Sequence, residues 1–306
     1  MKERIILFTV VIFIMCFYGV SPVGAKMVKE VAIGVMDDAP SQAELDRYYM
    51  QYHGPEVMRT SGPWMTRYQL WLPYVPPKEA VERFGAVRGR YAELWYHEDE
   101  LSDLPKGISA MTMPPWPISK RSGQTVVDVP ANPTETFYDS DPSPAKTTIL
   151  RWVTIIAYPE GVSVEDGEKW FLNVYAKEAL KQPGLLKFVS HRVLSKNSGE
   201  SGDKTPPPQT SNDKPAQSGD KTPQMSEMPR MKSWVRVCEY WYKDLDAWRK
   251  AVLESPPKYT TPSWGGKYPF VEMKSTFIPY YNDVDFLKGT YRLDSNQQSV
   301  IYNTTP

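Results

Sequence analysis

Residues 92–96 read AELWY and residues 238–242 read CEYWY, so a Glu, a Trp and a Tyr return at the same spacing. Upstream of each motif, residues 31–62 align with residues 153–184 without a gap, and aromatic, charged and glycine positions coincide at several places. Repetition over this length indicates two copies of one supersecondary unit. The fold is therefore expected to use one unit twice.

The first copy follows the order β-α-β-β-α-β, which is typical of a ferredoxin-like unit. Ser41 is predicted to cap its first helix, because Glu44 three residues later completes a capping box. The predicted elements are strands at 30–36, 64–72 and 89–97, a helix at 41–59, a short helix from about residue 98, and a fourth strand at 125–129 or 134–138.

The second copy shows the same order more clearly. Ser163, followed by Asp166, opens its first helix, and Pro183 with Gly184 ends it. The predicted elements are strands at 150–158, 185–194, 234–241 and 270–279, with helices at 163–182 and 244–253.

Composition divides the chain further. We expect a signal peptide (1–25), a first repeat with a Pro-rich extension (26–145), a second repeat (146–281) and a C-terminal tail (282–306). An insert at 197–231 within the second repeat has too few apolar side chains to offset its ordering entropy. It is predicted to be a disordered loop, and a partner-binding segment is the alternative.

The first residues are typical of a secretory signal peptide. Residues 5–18 form an apolar run after a charged start, and a small-residue cleavage site ends at Ala25. This predicts an exported protein, periplasmic or extracellular, without stable membrane insertion after cleavage; an uncleaved anchor is the alternative. One cysteine then remains, Cys238, which has no partner for an internal disulfide and is predicted to be a small buried residue.

Charge and composition narrow the function classes. The chain has 36 Lys and Arg against 36 Asp and Glu, so no basic surface for nucleic acid is indicated. Three His and one remaining Cys are too few for a typical Cys/His metal site. We therefore expect no metal, no cofactor and no nucleic-acid partner. His97 and His191 are predicted to lie at the surface or at strand ends.

A ferredoxin-like sheet carries helices on one face only, so its other face must be buried against something else. Two tandem copies solve this problem by facing their sheets toward each other. The predicted fold class is therefore α+β, with two tandem β-α-β-β-α-β units that form an intrachain pseudo-dimeric α+β barrel. The predicted oligomeric state is a monomer with an internal pseudo-twofold axis.

Three short segments carry a family resemblance: YHGPE at 52–56, SGP at 61–63 and RY at 67–68. They resemble the EthD-like families of the dimeric α+β barrel superfamily, in which His-x-Pro at the end of the first helix precedes a Pro-Gly turn and a basic-aromatic strand start. The second copy keeps PG at 183–184 but has YAK at 175–177. The resemblance implies a role in degradation of ethers or aromatic compounds. Relatives on this fold include cofactor-free lyases and isomerases, and others bind haem.

The resemblance places His53 at a helix end facing a cleft, where it would act as general acid or base. A helix C-terminus would favour its protonated form; the alternative is a His that only caps the helix. Glu93 is the second catalytic candidate, because Glu93 and Trp95 share one strand face and apolar surroundings would raise the carboxyl pKa. The favoured alternative for Glu93 is a structural ion pair with Arg67 or Lys187.

These residues predict a site for a small apolar or aromatic compound. The leading hypothesis is a cofactor-free lyase or isomerase that uses His53. The alternatives are a non-catalytic small-molecule-binding protein and an oxidoreductase or haem-associated protein of catabolism. The predicted ligand-binding side chains are Tyr49, Tyr52, Trp64, Tyr68 and Trp95.

Overall fold

The computed structural model of the chain describes residues 26–35, 41–61, 65–98, 123–143, 147–194, 199–201, 233–280, 283–285 and 290–292. Several predictions lie outside the described residues: the signal peptide, the binding residue Trp64, the helix expected from about residue 98 and most of the insert at 197–231.

Extended segments dominate the described chain. The strands are β1 (Met27–Val35), β2 (Met65–Trp71), β3 (Gly89–His97), β4 (Gly123–Pro130), β5 (Glu135–Asp139), β6 (Leu150–Ala157), β7 (Lys187–Arg192), β8 (Gly199–Ser201), β9 (Arg236–Tyr242), β10 (Glu272–Pro279), β11 (Asp283–Asp285) and β12 (Thr290–Arg292).

The strands form two antiparallel sheets. Sheet 1 has the order β12-β11-β2-β3-β1-β4-β8, and sheet 2 has the order β10-β6-β9-β7-β5. In sheet 1 the strand β1 lies between β3 and β4, and in sheet 2 the strand β6 lies between β9 and β10. The repeated segments therefore occupy corresponding places in the two sheets. The α+β class with antiparallel sheets is confirmed.

The helices contain three π-helical segments, labelled π1 to π3. The helical elements are α1 (Gln42–Tyr48), π1 (Tyr49–His53), α2 (Gly54–Ser61), α3 (Lys78–Phe84), α4 (Val164–Trp170), π2 (Phe171–Tyr175), α5 (Ala176–Ala179), α6 (Leu245–Arg249) and π3 (Lys250–Glu254).

The two continuous helical segments, α1-π1-α2 and α4-π2-α5, begin where they were predicted to begin. The Ser41 hydroxyl accepts the backbone N–H of Glu44 at 3.2 Å, and the Ser163 hydroxyl accepts that of Asp166 at 3.1 Å. Each bond satisfies one of the backbone donors that a helix leaves free at its N-terminus. The segments π1 and π2 fall at aligned positions of the two copies.

Helix α3 was not among the predicted elements, because five residues with three prolines precede it and it is only seven residues long. It follows β2, yet its Ala80 and Phe84 pack in the core cluster of sheet 2. The Phe84 ring lies 5.2 Å from that of Trp152 on β6. Helix α3 thereby links the first part of the chain to the second sheet.

Several short strands differ from prediction. Both segments considered for the fourth strand are strands, but β4 joins sheet 1 and β5 joins sheet 2. Three residues of the predicted disordered insert form β8, which pairs with β4. The predicted loose tail supplies β11 and β12, which extend sheet 1 beyond β2. In each case, the added strand forms backbone hydrogen bonds with a neighbouring strand of the sheet.

Three apolar layers follow from this arrangement. One lies between sheet 1 and its helix α1, and another between sheet 2 and its helices. The third lies between the sheets and contains side chains of both, among them Val31 and Ile33 from β1 with Val153 and Ile155 from β6. Because both halves contribute side chains to this layer, both halves also form the walls of the space between the sheets.

Candidate functional site

Strand β3 divides its side chains between the two faces of sheet 1. Leu94 and Tyr96 pack in the helix-side layer, whereas Tyr91 and Trp95 belong to the layer between the sheets. Glu93 lies between the latter two and shares their face, because side chains alternate along a strand. The prediction that Glu93 and Trp95 share one face is confirmed.

The same arrangement occurs on the inner face of sheet 2. Lys29 on β1 lies opposite Trp95, and Arg151 on β6 lies opposite Trp241 on β9. The glutamates of the two motifs precede these tryptophans by two residues on the same faces. Lys29 and Arg151 are separated by the same 122 positions as the aligned segments, but they lie upstream of the alignment quoted above.

Four of these residues, Lys29, Arg151, Glu93 and Glu239, form the charged quartet. Arg151 Nη2 lies 2.9 Å from Glu93 Oε1 and 3.0 Å from Glu239 Oε2. Lys29 Nζ lies 3.4 Å from one oxygen of each carboxylate. All four side chains are at most 6% exposed. Each cation thus bridges a carboxylate from sheet 1 and one from sheet 2.

The opposite charges within the quartet shift the pKa values of its members. Burial alone would raise the pKa of Glu93, but Lys29 and Arg151 outweigh it and hold that pKa below its usual range. Burial likewise opposes ionisation of Glu239, yet Arg151 and Lys29 hold its pKa well below its usual range. Burial would lower the pKa of Arg151, but the two carboxylates raise it. Glu93, Glu239 and Arg151 are therefore charged at neutral pH.

Two expectations about Glu93 need correction. Its surroundings are not apolar, so its pKa is lowered rather than raised, and it is not a ready acid. It does form a structural ion pair, but with Lys29 and Arg151 rather than with Arg67 or Lys187. The two expected partners are occupied differently.

Arg67 and Lys187 instead lie over the tryptophans of the repeated motif. The guanidinium carbon of Arg67 is 4.6 Å from the ring centroid of Trp95, and Lys187 Nζ is 5.0 Å from that of Trp241. These distances are typical of cation–π contacts. Lys187 also reaches Asp139 on β5, with a separation of 2.6 Å.

His191 was predicted to lie at the surface or at a strand end, and the surface alternative is wrong. It lies within β7 and is only 2% exposed. Its Nδ1 is 3.0 Å from the carbonyl oxygen of Pro130, and its Nε2 is 3.5 Å from Glu239 Oε1. Because both ring nitrogens face oxygen acceptors, the protonated imidazolium can donate on both sides. His97, by contrast, is the last residue of β3, as predicted.

These groups surround a cavity of ≈ 230 Å³ between the two sheets. Strands β1, β2, β3, β6, β7 and β9 all contribute to its wall, and Ala131, Pro133 and Tyr280 lie in the segments around it. The lining side chains from the strands are Lys29, Arg67, Gln69, Trp71, Glu93, Trp95, Arg151, Lys187, Val189, His191, Glu239 and Trp241.

His53 lies elsewhere, on the helix side of sheet 1. It is the last residue of π1, and the helix continues through Pro55 to Ser61, so the predicted position at a helix C-terminus is wrong. The wider turn of π1 shifts the backbone pairing, and a proline without an N–H can follow it. His53 Nε2 contacts a guanidinium nitrogen of Arg90, and its ring lies 5.1 Å from that of Tyr49.

This setting keeps His53 neutral. Burial, followed by the positive charge of Arg90, lowers the pKa of His53 to about 2. Since Arg90 can only donate, the imidazole nitrogen that faces it must accept. The expected protonated form is therefore wrong, and the role of His53 as proton carrier stays a prediction that this geometry does not favour.

Glu30, on the same side of sheet 1, has the opposite shift. Burial and the carboxylate of Asp128, directly opposite on β4, raise the pKa of Glu30 to about 7, although Arg90 counteracts them. The Tyr96 hydroxyl donates to Asp128. This carboxyl pair was not foreseen, because the strand β4 that brings Asp128 to Glu30 was only one of two candidates.

The predicted ligand-binding aromatics do not form one pocket. Tyr49 and Tyr68 are buried in the helix-side layer of sheet 1, and Tyr52 is 54% exposed. Trp95 alone among the described members lines the cavity between the sheets. The structure therefore separates His53 from Glu93, which face opposite sides of sheet 1.

Haem was the cofactor of one alternative, and the described residues do not fit it. The cavity between the sheets is smaller than the roughly 300–1,000 Å³ of drug-sized ligand pockets. His191 has both ring nitrogens directed at oxygen atoms, and His53 contacts Arg90. Among the described residues, no group of three or more His, Cys, Asp or Glu is arranged to hold a metal ion.

The helices in the described ranges include none that is long and apolar enough to span a membrane.

No protein-family model matches the chain, and the comparison with curated proteins gives no match. Among solved structures, an anthrone oxidase-like protein is similar with a TM-score of 0.48 and 11% identity, over 89% of this chain and 98% of that chain. A Fusobacterium nucleatum protein described as a monooxygenase has a TM-score of 0.35 and 11% identity, over 86% and 98%. A protein described as a chlorite dismutase has a TM-score of 0.35 and 12% identity, over 74% and 84%. These similarities are too low for a function to be transferred.

Proposed function

We propose that this protein is an exported, EthD-like single-chain α+β barrel that binds a small aromatic molecule between its two sheets. In this proposal, the two ferredoxin-like halves act as a monomer with an internal pseudo-twofold axis. The corresponding positions of Lys29 and Arg151, and of the two motif glutamates, support this arrangement. The site lies on the inner faces, away from His53.

One observation carries the proposal. Trp95 and Trp241 line the same cavity from opposite sheets, and each carries a cation over its ring. Both tryptophans line the cavity and are half-buried. Aromatic rings and convergent polar groups meet in this concave space, and convergent polar groups fix the orientation of a ligand in a small-molecule site. Tyr280, whose ring lies 5.2 Å from that of Trp241, extends the aromatic wall.

A second candidate function is cofactor-free proton transfer at the same site. The specific observation in its favour is His191, which lines the cavity and is oriented by Pro130 and Glu239. An imidazole held in this way is the usual proton carrier near neutral pH. In this reading, His191 replaces His53 as the acid–base group.

The first test is calorimetric titration of the purified mature chain with two probes of the same size, 2-naphthoate and 2-naphthamide. We expect saturable binding of at least one probe and a Kd about tenfold weaker after Trp241→Leu. Tyr138→Leu is the matched control, since Tyr138 is an aromatic residue on β5 that is 43% exposed and does not line the cavity.

Absence of saturable binding by both probes, with a near-ultraviolet circular dichroism spectrum that shows a folded chain, would overturn the proposal. Equal affinities of Trp241→Leu and the unaltered protein would move the site away from this cavity. His53→Ala is expected to leave the affinity unchanged, because His53 faces the other side of sheet 1.

A further inference from the structure

We infer that the ligand of this site is a hydroxylated aromatic compound whose hydroxyl donates a hydrogen bond to Glu239 Oε1. This inference rests on the proposed function and adds the chemical class of the ligand to it. Its basis is a difference between the two glutamates of the repeated motif, Glu93 and Glu239.

Glu93 receives a hydrogen bond from a phenol of the protein itself. The Tyr91 hydroxyl lies 2.5 Å from Glu93 Oε1 and donates to it. Bonds from a hydroxyl to a carboxylate are typically about 2.5–2.7 Å long, so this bond has the length of a charge-assisted one. Both side chains are buried on the inner face of β3. A phenol hydroxyl therefore fits against one glutamate of the charged quartet.

At the corresponding position of sheet 2, an apolar side chain replaces this phenol. The motifs AELWY and CEYWY align Glu93 with Glu239, and the same offset places Val237 where sheet 1 has Tyr91. Both Val237 and Tyr91 belong to the layer between the sheets, so they lie at equivalent places on the two inner faces. Because valine has no hydroxyl, the donor that Tyr91 supplies to Glu93 has no counterpart at position 237.

The two oxygens of Glu239 differ in the quality of their contacts. Oε2 lies 3.0 Å from Arg151 Nη2 and accepts from Trp241 Nε1 at 3.2 Å. Oε1 lies 3.4 Å from Lys29 Nζ and 3.5 Å from His191 Nε2. Both separations at Oε1 exceed the about 2.7–2.9 Å of a good hydrogen bond from a cation to a carboxylate. This oxygen can therefore accept a shorter and stronger bond from a ligand hydroxyl.

His191 supplies a second polar partner for the same hydroxyl. Its Nδ1 lies 3.0 Å from the carbonyl oxygen of Pro130, which can only accept, so Nδ1 carries a proton. Its Nε2 faces Glu239 Oε1. A hydroxyl can donate to the carboxylate and also accept from Nε2 when the imidazole is protonated. A ligand carboxylate could only accept, and its charge would oppose that of Glu239.

The side of sheet 2 also suits the ring that carries the hydroxyl. Trp71 lies opposite Tyr91 across β2 and β3, whereas His191 lies opposite Val237 across β7 and β9. Valine and histidine are smaller than tyrosine and tryptophan, so we expect the ligand ring on this side of the cavity. Trp241 lines the cavity there and offers an aromatic surface for the ring.

The test compares two probes of nearly the same size by equilibrium dialysis against the mature chain. They are 2-naphthol, whose hydroxyl can donate, and 2-fluoronaphthalene, which has no donor. We expect 2-naphthol to bind about tenfold or more tightly, which is the magnitude of one hydrogen bond to a charged group. A third probe, 2-naphthoate, cannot donate and should bind more weakly than 2-naphthol.

Matched variants locate the hydroxyl. Glu239→Gln should weaken 2-naphthol binding about tenfold and leave 2-fluoronaphthalene binding nearly unchanged. Glu93→Gln makes the same change in sheet 1 and should weaken 2-naphthol binding less, because Tyr91 already donates to Glu93. Glu82→Gln is the control outside the cavity, since its side chain is 60% exposed on α3. If Glu239→Gln fails to fold, His191→Phe replaces it and should weaken 2-naphthol binding about fivefold.

The outcomes separate this inference from the proposed function. Equal affinities of 2-naphthol and 2-fluoronaphthalene, or tighter binding of 2-naphthoate than of 2-naphthol, would overturn the hydroxyl inference and leave the proposed aromatic site in place. A preference for 2-naphthol that Glu239→Gln reduces no more than Glu93→Gln does would overturn the assigned acceptor. Absence of saturable binding by all the naphthalene probes would overturn the proposed function itself.

Discussion

The two sheets are alike on their inner faces and different on their helix-side faces. On the inner faces, each sheet presents a basic residue, a glutamate and a tryptophan at corresponding positions, and the charged quartet joins them. On the helix sides, a buried arginine occurs in each sheet, Arg90 on β3 and Arg236 on β9, but the partners differ.

The two helix-side arginines show how far the halves have diverged. Arg90 lies 4.6 Å from the ring centroid of Tyr49, and Arg236 lies 4.7 Å from that of Phe171, at aligned positions of π1 and π2. Arg90 contacts the neutral His53. Arg236 forms ion pairs with two carboxylates, those of Glu168 and Glu135.

This difference indicates where the shared site lies. Each helix-side layer packs against one sheet only, so its polar residues can change without leaving an unpaired charge on the other sheet. The inner faces meet each other, so a change on one face leaves an unpaired buried charge on the other. The basic residue, glutamate and tryptophan that recur on both inner faces line the common cavity, whereas His53 lies on the helix side of sheet 1.

The largest expected effect comes from removing one cation of the charged quartet, which joins the inner faces of the two sheets. Arg151→Met removes the guanidinium that contacts both Glu93 and Glu239 at the shortest distances and should lower the free energy of unfolding by about 3–5 kcal/mol. Lys29→Met should cost about 2 kcal/mol, because its contacts of 3.4 Å are longer than the 2.9 and 3.0 Å of Arg151. Urea denaturation measures both, with the exposed Lys243→Met as control. Equal losses for Arg151 and Lys29 would contradict the unequal roles assigned here.

The next largest loss of stability is expected from replacing the buried arginines on the helix sides of the two sheets. Arg236→Met removes the buried guanidinium that pairs with both Glu168 and Glu135 and should cost about 3 kcal/mol, because the remaining cation near Glu168, that of Arg192, is 3.9 Å away and largely exposed. Arg90→Met should cost about 1 kcal/mol, because neutral His53 loses one hydrogen bond and Glu30 can take up a proton. Urea denaturation at pH 7 compares the two variants. A larger loss for Arg90→Met would show that the helix side of sheet 1 depends on charge as much as that of sheet 2.

The last prediction concerns how the unfolding free energy depends on pH through Glu30, on the helix side of sheet 1. The pKa of Glu30 is raised from 4.5 to about 7, so the folded chain holds a proton that the unfolded chain releases between these values. This contribution lowers stability as pH rises through that window and is fully unfavourable above it. Glu30→Gln should therefore be more stable than the unaltered protein at pH 8 by about 2 kcal/mol, because the partial exposure of Glu30 reduces the roughly 3 kcal/mol that the shift of its pKa would give.

The measurement is the difference in unfolding free energy between Glu30→Gln and the unaltered protein from pH 5 to pH 8. The difference isolates Glu30, because His53, with its pKa lowered to about 2, contributes the opposite slope to both proteins. Glu82→Gln, at a side chain that is 60% exposed, is the control. A difference that does not change with pH would contradict the raised pKa of Glu30.

Much of the local structure could be predicted from the sequence, because it depends on neighbours along the chain. Ser41 and Ser163 cap their helices as expected, and Glu93 and Trp95 share a face because strand side chains alternate. The pairing partners of Glu93 could not be predicted. Lys29 and Arg151 lie 64 and 58 positions away and meet it only across folded strands. Extending the repeat alignment two residues upstream would have drawn attention to both.

The sequence by itself determined the repeated unit, its strand faces and the capped helices, since periodicity and capping are short-range properties. The tertiary structure alone decided that His191 lines the cavity, that His53 faces the opposite side of sheet 1, and that α3 packs on sheet 2. It also decided which carboxyl pKa values rise and which fall, because desolvation and charge depend on what surrounds a group in space. Glu30 and Glu93 are residues of the same type on neighbouring strands, and their pKa values shift in opposite directions for this reason.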